Sequence, residues 1–446
     1  MISPPPESAL LTDLYELAML EAYLEEEMTE TAVFELFVRK LPARRGFLVA
    51  AGLEQALGYL EALRFADDEL AWLRASGRFE PAFLDWLAGF RFTGDVDAMP
   101  EGTVCFPDEP LLRVTAPLPQ AQLVETRLIN LVHFQTVIAS KAARFVLHAP
   151  GKLLVDYGLR RAHGAEAGLH AARAAYLAGF AGTSNVLAGA RFDIPVYGTM
   201  AHSYVQAHER EEDAFWRFAR SQPEHVTFLL DTYDTEHAAH TVVRLAPKLA
   251  AEGVTIGAVR LDSGSHLQHA RAVRHILDAG GLAGVRIFAS GNLDEDGVAA
   301  LEISHAPIDG YGLGTSLVTS SDAPALDCAY KLVEYAGRPR RKRSEGKATW
   351  PGAKQVFRVT DRAGRMVLDH VALASEPYAD GVPLLEPAMR GGRRVVAESL
   401  EAARRRTAAQ LLALPAHARR LHTQTTYPVR ISTGLEDLAR RVACTT

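Results

Sequence analysis

One histidine and a scatter of arginines, aspartates and glycines carry the chemistry that this sequence offers. His202 stands in Gly198-Thr199-Met200-Ala201-His202-Ser203, where a β-type run gives way to a helical one. A neutral imidazole is nucleophilic near pH 7, so a histidine in such a turn can accept a phosphoryl group; in an arbitrary place it is more often structural. Arg260, Asp262 and Ser263 close another β-type run. An arginine there can stack on a planar ring or pair with a carboxylate, and an aspartate can accept hydrogen bonds from ribose hydroxyls. A salt bridge between these neighbours is the bland alternative. Asp156, Tyr157, Arg160, Arg161 and His163 cluster after an earlier run. Two arginines beside an aromatic suit a planar, phosphorylated ligand. Ser290, Gly291 and Asn292 end a further run, and Gly310, Gly312, Gly314, Thr315 and Ser316 end the next. Glycines let the backbone approach a ligand closely, and free N–H groups at the start of a following helix receive phosphate. Ordinary tight turns use the same residues, but two glycine-rich ends in succession favour a phosphate site.

Elements of one kind must position these groups. The β-type runs are LLVDYG (153–158), IPVYGTM (194–200), VTFLLDT (226–232), GAVRLDSG (257–264), VRIFASGN (285–292) and DGYGLGTS (309–316). Helical stretches fall between them at 165–180, 203–220, 235–252, 265–280 and 294–304. This alternation predicts a parallel α/β architecture. The close spacing of the units fits a closed (β/α) barrel better than a Rossmann sheet. In such barrels ligands sit at the C-terminal strand ends, with phosphates after the last two strands, which is where the polar residues fall. No GxGxxG follows an early strand and no GxxxxGK[ST] occurs, so dinucleotide and P-loop readings are weak.

The flanking segments read differently. A helix is predicted over 12–27, a half-buried strand over 32–39, and helices over 46–63, 65–87 and 119–148, with a turn-rich stretch at 93–115. After 325 the pattern becomes antiparallel, with YKLVEYAG and RMVLDHVAL on either side of a basic segment, and 397–413 looks helical. Arg338, Arg340, Arg341, Lys342 and Arg343 form a basic run, read as a solvated hairpin tip or as a contact for an anionic ligand.

The 446 residues allow about two or three domains. Hydrophobic residues at 48% and charged residues at 23% exclude a disordered, collagenous or coiled-coil chain. The 48 Lys and Arg against 54 Asp and Glu leave a net charge of −6, which gives no basic field for nucleic acid. Cys105, Cys328 and Cys444 lie far apart, without ligand spacing, which argues against a disulfide framework or structural zinc and fits a reducing compartment. Met1 to Leu20 carries Asp13 and Glu16 and no Lys or Arg, unlike a signal peptide, and no apolar run approaches the ~20 residues of a membrane span. A soluble cytoplasmic protein is expected.

The motifs resemble those of nicotinate phosphoribosyltransferase, a type II phosphoribosyltransferase, over nearly the whole chain. The resemblance runs through Thr12-Asp13-Leu14-Tyr15-Glu16-Leu17, Phe34-Glu35-Leu36-Phe37, the stretch from Gly182-Thr183-Ser184-Asn185 to Gly189, and Gly198 to Ser203. It continues through Arg260-Leu261-Asp262-Ser263-Gly264, Gly312-Leu313-Gly314-Thr315-Ser316 and Gly352-Ala353-Lys354-Gln355-Val356. It implies an irregular α/β barrel with a second α+β domain formed by N-terminal and C-terminal segments. On this chain that gives an N-terminal α+β domain at 1–118, a barrel with the active site at 119–325, and a segment at 326–446, β-rich then helical, packing back on the first.

The resemblance also implies that nicotinate and 5-phosphoribosyl 1-diphosphate give nicotinate mononucleotide and diphosphate for NAD biosynthesis. Magnesium, coupled ATP hydrolysis and a homodimer with active sites near the subunit interface belong to the same expectation. His202 matches the histidine that the family phosphorylates. Tyr157 is expected to stack on the pyridine ring with Arg260 on its other face, Tyr15 to reach in from the partner subunit, and Thr199 to help hold nicotinate. Arg160 and Arg161 are expected on phosphate or diphosphate, Asp262 on the ribose hydroxyls, and Gly291, Asn292, Gly314 and Thr315 on the 5′-phosphate. No metal ligands are assigned. Relatives that use nicotinamide carry an Asp where Ser184 stands. An Asp repels a carboxylate whereas a serine hydroxyl donates to it, so Ser184 favours nicotinate, unless it only caps the next helix. A quinolinate enzyme would need more cationic groups and no ATP, and the His202 motif argues against it. A silent binding protein would not need the whole constellation. Two positions depart from the family pattern: Ala162, and Ser265 where an acidic residue is more usual.

Overall fold

Six short parallel strands end where the chemistry-bearing residues lie: β1 (Leu153–Asp156), β2 (Gly182–Thr183), β3 (Val226–Leu229), β4 (Ile256–Leu261), β5 (Arg286–Ser290) and β6 (Gly310–Leu313). They belong to a computed structural model that describes residues 8–224, 226–422 and 426–444. The sheet order is β2-β1-β6-β5-β4-β3, and every pairing is parallel. β5 and β6 are almost wholly buried, as parallel strands covered on both faces are. Helices Ala165–Ala178, Thr235–Ala251, His266–Ala279 and Glu295–Ile303 form the crossovers near their expected places.

Three expectations for this region change. The sheet is curled but not closed by a full ladder, because 194–200 is not a strand. It makes one parallel bridge, Thr183 to Val196. Pro195 has no N–H to give a ladder. The segment still spans the opening. Tyr197 N donates to Thr183 O at 2.9 Å on one side, and the Thr199 hydroxyl donates to Thr227 O at 2.5 Å on the other. The expected helix at 203–220 is two, His202–Gln206 and Glu211–Ser221. The short helix Val186–Phe192 is capped by Asn185, whose side chain accepts from Ala188 N at 3.2 Å. The cap is therefore not Ser184.

The chain divides into two compact units, Lys141–Asp322 and a discontinuous one of Met1–Ser140 with Ala323–Thr446. In the second, a seven-stranded sheet runs in the order Arg338–Pro339, Cys328–Tyr335, Thr31–Val38, Pro110–Pro117, Asp95–Ala98, Glu386–Arg390, Arg393–Arg394. Thr31–Val38 is central and buried on both faces beyond Thr31, not half-buried. Its one charged side chain, Glu35, survives burial because Lys354 Nζ stands 2.6 Å from its carboxylate. A four-stranded sheet holds Lys354–Thr360 against Met366–Leu373.

The expected helix at 46–63 begins only at Leu53, after a short strand, and 65–87 is two helices, Asp67–Ala75 and Pro81–Ala88. Gly52 separates that strand from the helix at φ 98°, and a Cβ there would lie 2.6 Å from Leu131 O. Only glycine fits both conditions. The expected 119–148 helix breaks at Val124 into Leu118–Leu123 and Glu125–His148. Arg341 donates to Ala439 O at 3.0 Å and Arg343 to Ala443 O at 2.7 Å, carbonyls late in the helix Thr433–Cys444. These two members of the basic run serve a helix C-terminus. Among the described residues no helix is long and apolar enough to cross a membrane. Cys105 and Cys328 are free thiols; the first seven residues and the Cys444 side chain lie outside the described residues.

Candidate active site

Asp156, at the end of β1, organises the first corner. Its buried carboxylate accepts from Thr183 Oγ1 at 2.7 Å and from Gly158 N at 2.8 Å, while its carbonyl accepts from Ser184 N at 2.8 Å. Burial pushes its pKa up to about 6, against the pull of those two side-chain bonds. The turn so fixed presents Tyr157. Its ring packs on the bare backbone of Gly312, where a Cβ would lie 2.5 Å from it. Burial raises the Tyr157 phenol.

Arg260, on β4, lies over that ring, its Cζ 5.5 Å from the centroid. Its Nη2 donates to Asp262 at 2.7 Å and its Nε to Ser290 Oγ at 2.8 Å. Ser290 also donates to Asp262. Burial works to raise the Asp262 carboxyl, but the Ser290 hydroxyl and the Arg260 guanidinium outweigh it and hold it below the usual range. A planar ring between Tyr157 and Arg260 needs ~7 Å, at ~3.5 Å per face. The expected sandwich therefore requires the guanidinium to swing away.

His202 begins the helix His202–Gln206. Its Nε2 stands 3.2 Å from Oδ1 of Asp231, whose Oδ2 accepts from Ser263 Oγ at 2.5 Å. When Nε2 carries the shared proton, Nδ1 keeps its lone pair. Asp231 is 4% exposed and the His202 ring 40%. Asp231 was not singled out from the sequence; its one signal is an acidic residue just past a parallel strand end, in VTFLLDT. Donor atoms of His202, Asp231 and Asp262 all lie within 4.8 Å of one another. The two carboxylates are the oxygen donors that a hard divalent cation prefers.

Two cavities adjoin. The first, about 340 Å³, is lined by Tyr157, Arg160, Ser184, Thr199, His202, Arg260 and Asp262 among others. The Thr199 hydroxyl spends its proton on Thr227 O. The second, about 200 Å³, is lined by Tyr157, Arg160, Arg161, Arg260 and Asp262, by 290–293, and by Gly312 and 314–316, so Gly291, Asn292, Gly314 and Thr315 lie on its wall. Gly291 has φ 87°, and a Cβ there would lie 1.8 Å from Asp262 O. Among the described residues neither Arg160 nor Arg161 has a carboxylate partner, so two guanidiniums at this cavity are uncompensated. Tyr157, Arg160, Arg260 and Asp262 line both cavities. Tyr15 belongs to the discontinuous unit, on the helix Leu14–Glu25. It is 46% exposed, with its phenol donating to Glu16 at 3.2 Å.

The family described as "Nicotinate phosphoribosyltransferase (NAPRTase)" matches residues 153–334, and its N-terminal and C-terminal domain descriptions match 10–133 and 379–439. The chain belongs to this family. A nicotinate phosphoribosyltransferase of Mycobacterium tuberculosis (strain H37Rv) is 49% identical over 95% of this chain and 91% of its own. One from Bacillus subtilis is 40% identical over 83% of this chain and 77% of its own. The crystal structure of the human nicotinic acid phosphoribosyltransferase superposes with a TM-score of 0.88 at 30% identity, covering 97% of this chain and 99% of that one. The family's architecture, a curled parallel half-barrel with additional domains, is therefore that of this chain.

Proposed function

We propose that this enzyme transfers the phosphoribosyl group of 5-phosphoribosyl 1-diphosphate to nicotinate, giving nicotinate mononucleotide and diphosphate for NAD biosynthesis. One observation carries the reading: a ring-sized cavity and an anion cradle share Tyr157, Arg160, Arg260 and Asp262 as a common wall. A ligand spanning both places a planar base in the first, a ribose beside Asp262 and phosphates against Arg160, Arg161 and the glycine turns.

The chemistry then needs no protein nucleophile. The pyridine nitrogen attacks ribose C1; the N–C1 bond forms as the C1–O bond to diphosphate breaks, and the bonding pair leaves with diphosphate. Positive charge grows on the ribose ring, where the Asp262 carboxylate, held ionised, lies close. Arg160 and Arg161 take up charge on the departing group. Ser184, on the wall of the base cavity, donates to the nicotinate carboxylate, and Tyr157 stacks on the ring once Arg260 turns aside. Thr199 contributes through its backbone, its hydroxyl being engaged. Magnesium supplies charge neutralisation for diphosphate, and Asp231 and Asp262 are the donors that would hold it.

ATP coupling runs through His202. The unprotonated Nδ1 attacks the γ-phosphorus of ATP; an N–P bond forms, the P–O bond to ADP breaks, and Asp231 balances the imidazolium charge. The chain works as a homodimer in which Tyr15 of one subunit reaches the base cavity of the other, in a reducing, cytoplasmic setting.

The deciding experiment offers nicotinate, nicotinamide and quinolinate in turn, with 5-phosphoribosyl 1-diphosphate and magnesium, with and without ATP. Nicotinate alone should give its mononucleotide, faster with ATP, and the ATP effect should vanish in His202→Ala. Turnover of nicotinamide or quinolinate in its place overturns the assignment.

A further inference from the structure

Beyond the cavity wall lies a buried charge cluster that the chemistry above does not use. Lys141, in the long helix Glu125–His148, is 1% exposed. Its ammonium is 2.6 Å from Glu295 Oε2 and 2.7 Å from Asp322 Oδ1. Arg144, one helical turn on, donates from Nε to Glu295 Oε1 at 3.0 Å. The two carboxylates belong to different strand-end segments. Glu295 opens the helix that follows Ser290-Gly291-Asn292, and Asp322 follows the short helix Thr315–Val318 that begins after Gly314.

We infer that Lys141 is a positioning residue that fixes the two halves of the phosphate cradle against each other. The inference rests on the cradle reading given above. The β5–β6 ladder ends at the Ser290–Gly312 pair, so beyond it the strands no longer set the spacing of the two turns. The first turn is conformationally demanding, with Gly291 and Asn292 at φ 87° and 50° in succession, and Ser320, between the second turn and Asp322, takes 44°. One ammonium bonded downstream of both is the simplest device that sets their separation. Stability alone does not explain it, since buried ion pairs are often no better than apolar packing.

The cluster has a second effect. Glu295 stands three residues after Asn292, within the acidic first turn Glu295-Asp296. Unpaired, its carboxylate would oppose an incoming phosphate. Lys141 and Arg144 hold it between them and cancel its charge.

The test is steady-state kinetics on Lys141→Met and Asp322→Asn in the full chain, with thermal unfolding as a check, and calorimetry with ribose 5-phosphate as the cradle probe. Misplacing a binding group by ~1 Å can cost ~100-fold, so KM for 5-phosphoribosyl 1-diphosphate should rise between about tenfold and a hundredfold. KM for nicotinate should stay within about twofold, because Ser184, Thr199 and His202 line the base cavity and not the cradle. Asp322→Asn keeps the fold-independent arm should Lys141→Met not fold. Folded variants with unchanged phosphoribosyl KM, or with both KM values rising together, overturn the inference. Wild-type protein that fails to bind ribose 5-phosphate overturns the cradle reading and the clamp with it. Wild-type binding matched by equal variant binding overturns the clamp alone.

Discussion

Nε2 of His202 and Oδ1 of Asp231 stand 3.2 Å apart, and the other oxygen of that carboxylate accepts the Ser263 hydroxyl at 2.5 Å. The aspartate is held from behind and is nearly buried, while the imidazole it orients is 40% exposed to the cavity. The imidazole is reachable while the carboxylate beside it is nearly buried, an arrangement that suits the phosphoryl acceptor proposed for His202.

Asp231→Asn should therefore damage phosphoryl transfer before it damages binding. A hydrogen bond to a charged partner contributes ~1.5–3 kcal/mol, or about tenfold to a hundredfold. Phosphohistidine formation from labelled ATP should fall by that factor, and the ATP-independent rate should fall by less. Equal losses in both rates would show that Asp231 serves substrate binding and not His202.

Ser184 is proposed to govern the choice between acid and amide. It lies on the base cavity wall, and the adjacent helix is capped by Asn185, so its hydroxyl is not needed there. Ser184→Asp sets a carboxylate against the substrate's own, a repulsion of ~4 kcal/mol at 4 Å in an effective dielectric of ~20. Side-chain rotation and solvent will relieve part of it, so nicotinate KM should rise at least about tenfold, with nicotinamide turnover gained. Unchanged nicotinate KM would remove Ser184 from the site.

What the sequence made legible follows from period and placement. Strand-end residues such as Tyr157, Arg260, Asp262 and Gly314 were readable because parallel strands put their functional groups at one end. Asp231 sits at such an end too, but a lone aspartate among Asp231, Asp234 and Glu236 has no spacing that marks it; only the fold brings it to His202. The 194–200 run carries β-type residues yet pairs at a single bridge, because Pro195 and Gly198 break the ladder that Val196 and Tyr197 favour. Tyr157 and Arg260 were expected on opposite faces of a bound ring, and their direct contact at 5.5 Å was not expected. Side-chain packing fixes that distance, and no sequence pattern encodes it. The buried Glu35 broke the alternation expected of its strand because its partner, Lys354, is far along the chain.

The basic run offers a test of structure against binding. Arg341 donates to Thr349 O at 2.8 Å and to Ala439 O at 3.0 Å, and its guanidinium lies 5.8 Å from the Trp350 ring centroid. Arg341→Ala should cost about 1–2 kcal/mol in denaturant unfolding, from bonds to a helix C-terminus and lost stem packing. Its KM for 5-phosphoribosyl 1-diphosphate should match the wild type. A raised KM with unchanged stability would assign the run to an anionic ligand instead.

Glu16, next to Tyr15, sets a pH dependence whose sign can be worked out. Its carboxylate is buried, and burial pushes its pKa up to about 7 from an ordinary 4.5, although hydroxyls of Thr12 and Thr126 pull it down. Between these two values the folded chain holds a proton that the unfolded chain has lost. Stability must then fall as pH rises through that window and level off above it. Glu16→Gln removes the titration and keeps a hydrogen-bonding side chain, so its stability should change less than the wild type's between pH 5 and pH 8. The Tyr15 phenol, which donates to the Glu16 carboxylate at 3.2 Å, reports the same event, because deprotonation of Glu16 strengthens that bond. Denaturant unfolding of both proteins at the two pH values decides the matter: parallel losses would mean that Glu16 is ionised throughout and that the slope arises elsewhere.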